Sequence, residues 1–212
     1  MTTKKTTRLN KCFSALYLLL ALTTTNSYAQ TSTVGLQAMR TFIAQQKSIS
    51  GDFVQINKDK QVPQYGQFAM SKPDQFRWQI KKPFEQLLVS DGKILTQWDA
   101  DLNQATQRSS QGLLNNTPAA LLMGGANVEK QFGLQDAGFS EGLNWVKATP
   151  NNSDSAFKLI KLGFKKGIPV VLLTQDAFGG GSRIELKNIK TNTVSPSSFQ
   201  LSLPKDADIV KI

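Results

Sequence analysis

Several short motifs in this sequence match catalytic or ion-binding patterns, but each lacks a residue that the chemistry needs. Residues 138–142 (GFSEG) match G-x-S-x-G, the turn that presents the nucleophilic serine of esterases. That serine needs a general base, normally histidine, and the sequence contains no histidine. We therefore interpret this segment as a glycine-bounded turn.

Two further matches are also incomplete. Residues 155–158 (SAFK) match S-x-x-K, but they lie in a strand-like segment, and the accompanying S-D-N and K-T-G motifs are absent. Residues 99–103 (DADLN) resemble the start of a calcium loop, yet Gln104 and Ser110 replace the glycine and glutamate that such a loop requires. The sequence thus predicts no catalytic residue, no metal site and no cofactor.

The N-terminus has the pattern of an export signal. Four cations precede an apolar run: Lys4, Lys5, Arg8 and Lys11. The run, residues 12–22, has the length of a signal-peptide core, and residues 27–29 (SYA) form a small-x-small cleavage site. We predict a signal peptide at 1–29 and a single periplasmic domain at 30–212; a short membrane anchor is the alternative.

Charge and cysteine content restrict the partners. Loss of the four cations lowers the formal charge from +10 to +6, because residues 1–29 contain no acidic residue. The remaining basic residues are scattered and not interleaved with aromatics, which argues against nucleic-acid binding. Docking to an acidic partner surface is the alternative that the charge allows. The mature chain would contain no cysteine and so no disulfide, since Cys12 is the only one.

The most informative period-two pattern lies at residues 75–80 (QFRWQI). It places Phe76, Trp78 and Ile80 on one face of a strand and polar residues on the other. Such large aromatics suit a wide apolar surface that holds an oily ligand, although ordinary core packing is the alternative.

The elements that would position this face are mostly strands. We predict a helix at 33–47 capped by Ser32 or Thr33, a helix from Thr117–Pro118 to Gly124, and another from Asn127. Residues 91–92 (DG) predict a type I′ hairpin turn, and residues 179–181 (GGG) a flexible one. The predicted strands are 52–57, 64–70, 75–81, 85–90, 93–99, 104–109, 143–148, 156–164, 169–175, 183–188 and 198–203. The fold class is mainly β (α+β), an antiparallel meander.

The order of these features resembles the periplasmic outer-membrane lipoprotein carrier family LolA, over essentially all of the mature chain. The matching segments are 48–55, 66–68, 72–78, 83, 86–92, 98–104, the helix at 118, 176–179 and 199–209. The resemblance implies an incomplete, open antiparallel β-barrel with a lid of short α-helices. Lipoprotein acyl chains would bind between sheet and lid.

The resemblance also implies a monomeric, non-enzymatic chaperone of a Gram-negative bacterium. It would accept lipoproteins from an inner-membrane ABC transporter and deliver them to an outer-membrane receptor. The alternatives are a carrier for another lipid or glycolipid pathway, a lipid hydrolase and a structural envelope protein without cargo.

The site residues follow from this resemblance together with the strand pattern. The expected cavity residues are Phe68, Met70, Phe76, Trp78, Ile80, Leu87, Val89 and Trp98, and the expected lid and gate residues are Lys72, Leu121, Leu122 and Met123. Lys72 stands where family members often have arginine, and the resemblance implies that it donates hydrogen bonds to lid-helix carbonyls. A solvated turn lysine is the alternative.

The export signal generates a first prediction. The protein recovered from the periplasm should begin at Gln30, because the small-x-small site ends at Ala29. Intact-mass measurement on a periplasmic extract checks this. A chain that retains residues 1–29, or that carries a lipid on Cys12, would contradict it.

Overall fold

Twelve strands form one open sheet in the part of the chain that is described. The structure is a computed structural model that describes residues 1, 2, 33–60, 62–124 and 128–212. The strands are β1 (Ser48–Asn57), β2 (Gln64–Ser71), β3 (Gln75–Lys82), β4 (Gln86–Asp91), β5 (Ile94–Asp99), β6 (Gln104–Ser109), β7 (Phe132–Ser140), β8 (Leu143–Pro150), β9 (Phe157–Lys165), β10 (Ile168–Asp176), β11 (Gly181–Thr191) and β12 (Asp208–Lys211).

The sheet order is β12-β6-β5-β4-β3-β2-β1-β11-β10-β9-β8-β7, so β12 and β7 are its two edges. All neighbours pair antiparallel except β12, which runs parallel to β6. The predicted open antiparallel sheet is therefore confirmed. Most of the predicted signal peptide lies outside the described residues, and the domain boundary stays a prediction.

Among the described residues, three α-helices accompany the sheet: α1 (Val34–Gln45), α2 (Pro118–Met123) and α3 (Val128–Gln131). The predicted helix at 33–47 is confirmed, but its cap differs, because the Thr33 side chain makes no capping hydrogen bond. Instead, Gly35 N and Leu36 N donate to Asp136 Oδ2 at 2.8 and 3.3 Å. This carboxylate from β7 satisfies two free N–H groups and complements the helix dipole. No described helix is long and apolar enough to cross a membrane.

Ten of the predicted strands are present, with small shifts at their ends. The prediction at 198–203 is wrong, because a 3₁₀ helix at Pro196–Phe199 occupies its start and no strand follows before Asp208. Two strands, β7 and β12, were not predicted. In β7 the less exposed alternating positions after Leu134 carry Asp136 and Gly138, and all four residues of β12 are exposed, so neither gives a clear apolar period-two pattern.

The hairpin between β4 and β5 is confirmed, but its type I′ turn is wrong. A type I′ turn needs two residues of positive φ, and here Gly92 alone has one, at 99°. Asp91 Oδ1 instead accepts hydrogen bonds from Lys93 N and Ile94 N, both at 2.8 Å. These bonds lower the pKa of the Asp91 carboxyl and hold the turn by its side chain.

One face of the sheet, here called the inner face, packs against α1 and α2. Its centre is an aromatic group: Phe53 of β1 stacks on Trp78 of β3 with ring centroids 3.9 Å apart, and Phe68 lies 5.9 Å from the same tryptophan. Gly66 of β2 makes room for this stack, since a Cβ there would lie 2.4 Å from Phe53 Cζ and 2.1 Å from Gln79 O. The inner face thus has a rigid aromatic wall.

Gly66 provides a stability test. Gly66→Ala should lower the free energy of unfolding by about 3 kcal/mol, because overpacking against backbone and a locked ring cannot relax cheaply. Gly133→Ala is the matched control: it is also a strand position, but its Cβ would meet nothing closer than 3.7 Å. Urea unfolding measures both. Equal unfolding midpoints for the two variants would contradict the packing role of Gly66.

Candidate functional site

A cavity of about 400 Å³ lies between the inner face and the segment that contains α2. The lining residues come from both halves of the sheet and from this segment: Gln55, Met70, Phe76, Trp78, Leu88, Leu95, Arg108, Leu113, Leu114, Thr117, Pro118, Ala119, Leu122, Phe157, Leu172, Thr174, Ser182 and Ile184. Most of them are apolar. The few polar groups sit among hydrocarbon, as in pockets that bind greasy ligands.

Strand register explains which side chains reach the cavity. Trp78 of β3 lies opposite Phe68 of β2 and Leu88 of β4, so these three residues share the inner face. Leu95 of β5 pairs with Arg108 of β6, and both line the cavity. Every second residue therefore points toward the inner face, on which the cavity lies, as the pleat requires.

The uncharged polar lining residues are already engaged within the protein. Thr174 Oγ1 and Ser182 Oγ lie 2.8 Å apart, and Gln55 Nε2 donates to Asn57 Oδ1 at 2.8 Å. Among the described residues, the lining contains one charged side chain, Arg108, and no Asp, Glu, Lys, Cys or His. This wall favours binding of hydrocarbon over acid–base chemistry.

The roof of the cavity is α2, and its ends are set locally. Thr117 Oγ1 accepts from Ala120 N at 3.4 Å and donates to Leu114 O at 2.6 Å, so the cap also ties down the preceding turn. Pro118 fits the first helical position because its missing N–H would have no partner there. Gly124 ends the helix with φ 59°. The predicted helix is confirmed here, and the described part of α3 begins at Val128, since Asn127 is not described.

Four of the expected site residues line the cavity: Met70, Phe76, Trp78 and Leu122. Four others do not, although they lie on the same side of the molecule. Phe68 and Leu121 are buried in the main core, and Ile80 packs against it. Met123 borders a small separate space beside Lys72.

Leu87, Val89 and Trp98 lie on the opposite face of the sheet, so their expected place in the cavity is corrected. Leu87 pairs with Gln79, and Val89 pairs with Arg77. Gln79 and Arg77 are the neighbours of Trp78 in β3, so their side chains point to the face opposite to that of Trp78. Trp98 pairs with Leu87 and shares its face. Leu87 and Val89 are nevertheless buried, because the 3₁₀ helix at Pro196–Phe199 contacts β3 and β4 on this side. A strand buried on both faces gives no alternation from which to choose the face.

Several lining residues were not expected from the sequence. Leu88 lies between Leu87 and Val89, the two residues of β4 that were named, and Leu95 lies three residues before Trp98 in β5. Leu113 and Leu114 belong to turns between β6 and α2. Leu172 and Ile184 come from β10 and β11, which reach the cavity because β11 pairs with β1. That pairing joins segments more than 120 residues apart, so no local signal marks it.

Lys72 reaches a helix carbonyl, but not one of α2. Its Nζ donates to Ile43 O, near the C-terminus of α1, and its backbone N donates to Lys47 O at 2.9 Å. A cation there complements the negative end of the helix dipole. Loss of solvent around the ammonium lowers the pKa of Lys72 from its ordinary value. The resemblance implied lid-helix carbonyls, so the acceptor is corrected to α1.

α1 and α2 nevertheless meet at the residue that Lys72 holds. A Cβ at Gly124 would lie 2.2 Å from Ile43 Cγ2, so the end of α2 rests directly on the Ile43 side chain. The same residue thus offers its carbonyl to Lys72 and its side chain to the lid. This contact links the cation to α2 through α1.

Comparison with known proteins places the sequence in a family. A family model described as "Outer membrane lipoprotein carrier protein LolA" matches residues 44–202. An outer-membrane lipoprotein carrier protein of Chromobacterium violaceum is 36% identical over 185 residues, covering 86% of this chain and 89% of that protein. The protein of the same name in Bordetella pertussis is 34% identical over 202 residues, covering 93% and 95%.

A solved structure extends the likeness to the fold. An uncharacterized conserved protein from Thermus thermophilus superposes with a TM-score of 0.55 at 14% identity, covering 84% of this chain and 97% of that one. The sequence matches span nearly the full length of their relatives. On these matches, the chain belongs to the outer membrane lipoprotein carrier protein LolA family.

Proposed function

We propose that this protein is a periplasmic carrier that shields lipoprotein acyl chains in water between the inner and outer membranes. The observation that carries the proposal is the apolar cavity between the aromatic wall at Trp78 and the short helix α2. Its described lining offers hydrocarbon contact and contains no carboxylate, imidazole or amine that could activate a hydroxyl. The family relatives, which are named outer-membrane lipoprotein carrier proteins, support the same role.

The energetics of the cargo explain why a carrier is needed. Three acyl chains of about 15 carbons, at about 0.8 kcal/mol per methylene, would cost on the order of 30 kcal/mol to expose to water. Non-covalent affinities reach at most about 20 kcal/mol, and a carrier near that limit would not release its cargo. A partly filled cavity with a movable roof meets both requirements.

The size of the cavity implies that the roof moves. A water molecule occupies about 30 Å³ of liquid, and a methylene group is of similar size. The cavity of about 400 Å³ is therefore too small for three chains of that length. Full cargo requires α2 to move away from the sheet. At six residues, α2 is too short to be stable alone, so its position depends on side-chain packing.

The packing of α2 suits such a movement. Leu122 faces the cavity, and Met123 borders the space beside Lys72. Methionine and leucine contacts are non-directional, and methionine adapts to changed surroundings at little cost. Lys72 would bias the equilibrium toward the closed form, because it fixes the carbonyl of Ile43, on which the end of α2 rests.

The proposed partners follow from the route. An inner-membrane lipoprotein-releasing ABC transporter would load the carrier, and an outer-membrane lipoprotein receptor would unload it. The carrier would act as a monomer. Mass spectrometry of the native protein tests the whole proposal: co-purified lipoprotein or acyl chains are expected, whereas a glycolipid would favour a carrier of another pathway.

Leu87 and Leu88 are neighbours in β4, but Leu88 lines the cavity and Leu87 lies on the opposite face of the sheet. Leu88→Trp should weaken binding of a fluorescent fatty acid about tenfold, because the added ring displaces about two methylenes of cargo. Leu87→Trp is the matched control. It should leave fatty-acid affinity unchanged and lower the free energy of unfolding by about 1–3 kcal/mol, since it overpacks a buried site on the other face.

Fluorescence titration and urea unfolding measure the two effects. Equal fatty-acid affinity of the Leu88 and Leu87 variants would place the ligand elsewhere and contradict the proposed cavity.

Lys72 generates a second functional prediction. Lys72→Leu removes a charged hydrogen bond worth roughly 1.5–3 kcal/mol, so the open form should gain population and cargo retention should rise. Lys72→Arg should do the reverse, because its planar fork can engage two carbonyls. The control is Lys47→Leu, which changes an exposed cation at the same junction and keeps the backbone carbonyl that Lys72 N contacts.

The measurement is transfer of labelled lipoprotein to outer-membrane vesicles that bear the receptor. Transfer should be slower for Lys72→Leu, faster for Lys72→Arg and unchanged for Lys47→Leu. Equal transfer rates for all variants would contradict the proposed role of Lys72 in holding α2 closed.

A further inference from the structure

Large apolar residues stand at the tips of hairpin turns along one end of the sheet. Val62, Phe84, Leu102 and Phe178 are 60%, 67%, 69% and 99% exposed, respectively. They belong to the turns β1–β2, β3–β4, β5–β6 and β10–β11. We call these four residues the turn row.

Strand register places the four turns at the same end. Gln55 of β1 pairs with Gln64 of β2, and Asn57 pairs with Ser182 of β11. Tyr65 of β2 pairs with Lys82 of β3. Asp99 of β5 continues the series, pairing with Gln86 of β4 and with Gln104 of β6. The turn row follows the order Leu102, Phe84, Val62, Phe178 along consecutive hairpins.

The opposite end of the sheet provides an internal comparison. Its hairpin turns are residues 72–74 (KPD), 92–93 (GK), 141–142 (EG) and 166–167 (KG), and none carries a large apolar residue. At the end with the turn row, the loop 151–156 (NNSDSA) is polar as well, but each of the four other turns exposes one large apolar residue. Scattered exposed apolar residues are ordinary, whereas four on consecutive turns of one end indicate a contact surface.

The cavity reaches the end where the turn row stands. Gln55 lies two residues from the end of β1, Thr174 lies two residues from the end of β10, and Ser182 is the second residue of β11. All three line the cavity. A surface that the turn row touches would therefore face this end of the cavity.

The charges around the turn row are mixed, with cations at its centre. Lys58 and Lys60 precede Val62, and Lys81 and Lys82 precede Phe84. The acidic residues of these turns mostly serve the protein itself: Glu85 Oε1 accepts from Gln79 Nε2 at 2.8 Å, and Asp176 Oδ1 accepts from Phe178 N and Gly180 N. Asp99 Oδ1 likewise accepts from Asp101 N and Leu102 N. Asp59 lies beside Lys58, and Asp101, Asp206 and Asp208 lie at the Leu102 end of the row.

We propose that the turn row inserts into the headgroup region of an anionic lipid bilayer and sets the cavity against the membrane. This inference rests on the proposed function, in which acyl chains must leave one membrane and enter another. Contact of the cavity with the bilayer would remove most of the aqueous path, whose crossing by bare chains is prohibitive.

The spacing favours lipid over a protein partner. Consecutive tips are two strands apart, or about 10 Å, and polar turn backbone separates them. A protein would need four pockets at matching positions, since interface hot spots are contiguous side chains that fill pockets. A bilayer interface is fluid and accepts single apolar side chains wherever they protrude, and lysines nearby favour anionic lipid.

The test is flotation of the purified exported protein with two kinds of vesicle: phosphatidylcholine alone, and phosphatidylethanolamine with phosphatidylglycerol. The wild type should float with the anionic vesicles. Phe84→Ser and Phe178→Ser should each weaken this binding about tenfold, from the transfer free energy of one phenylalanine. The matched control is Phe139→Ser, because Phe139 is also 69% exposed but lies near the β7–β8 turn at the opposite end.

A double variant, Lys60→Gln with Lys82→Gln, should bind the two kinds of vesicle equally, because it loses the attraction to anionic lipid. Every variant should keep the fatty-acid affinity of the wild type, since none of these residues lines the cavity. If the wild type did not bind fatty acid, the carrier function would be refuted, independently of the flotation result.

Failure of the wild type to float with either vesicle would overturn the membrane proposal. Equal weakening by Phe84→Ser and Phe139→Ser would also overturn it, because the effect would then be unspecific. If Phe84→Ser slowed receptor-dependent transfer while the wild type failed to float, the turn row would be a protein contact, and the proposal would be wrong.

Discussion

The sheet of this protein does not close, and most of its functional character depends on that constraint. A closed barrel of about eight strands can fill its interior with its own side chains. Here the inner face stays open between two edges, β12 and β7, and two helices must cover it. α1 packs on β7–β10, and α2 contacts β2 and β10. Six residues cannot fill the space beneath them, so a cavity remains.

The two sides of that cavity differ in rigidity. The sheet side is an aromatic stack, Phe53 on Trp78, made possible because Gly66 has no side chain. Its rings are held by strands on both sides. The roof consists of leucine and methionine contacts on a helix too short to persist alone. Because the sheet side is rigid and the roof is not, a ligand of different size would displace α2 and leave the sheet in place.

The charged contacts that fix α1 lie at the boundary of the roof rather than within the cavity. Asp136 anchors the N-terminus of α1 to β7, and Lys72 holds its C-terminus at Ile43 O. The helix is thereby fixed at both ends by charges that complement its dipole. Since Gly124 rests on Ile43, the position of α2 depends on a charged contact that lies outside the cavity.

Much of this protein could be predicted from local sequence. Period two at residues 75–80 gave the strand and the face of Phe76 and Trp78, and Thr117, Pro118 and Gly124 gave the limits of α2. These features depend on backbone preferences and pleating, which act over a few residues. The type of turn at Gly92 was wrong because the Asp91 side chain, not backbone conformation alone, stabilises it.

Tertiary structure decided what depends on distant partners. Leu87 and Val89 face away from the cavity because β4 is buried on both faces, and only its register with β3 tells them from Leu88. β12 is a strand because β6 offers an edge, and Asp136 caps a helix 100 residues earlier in the chain. Lys72 finds its acceptor on α1 because β2 ends beside that helix. Hydrogen-bond partners and burial on both faces are set by packing, which no local periodicity records.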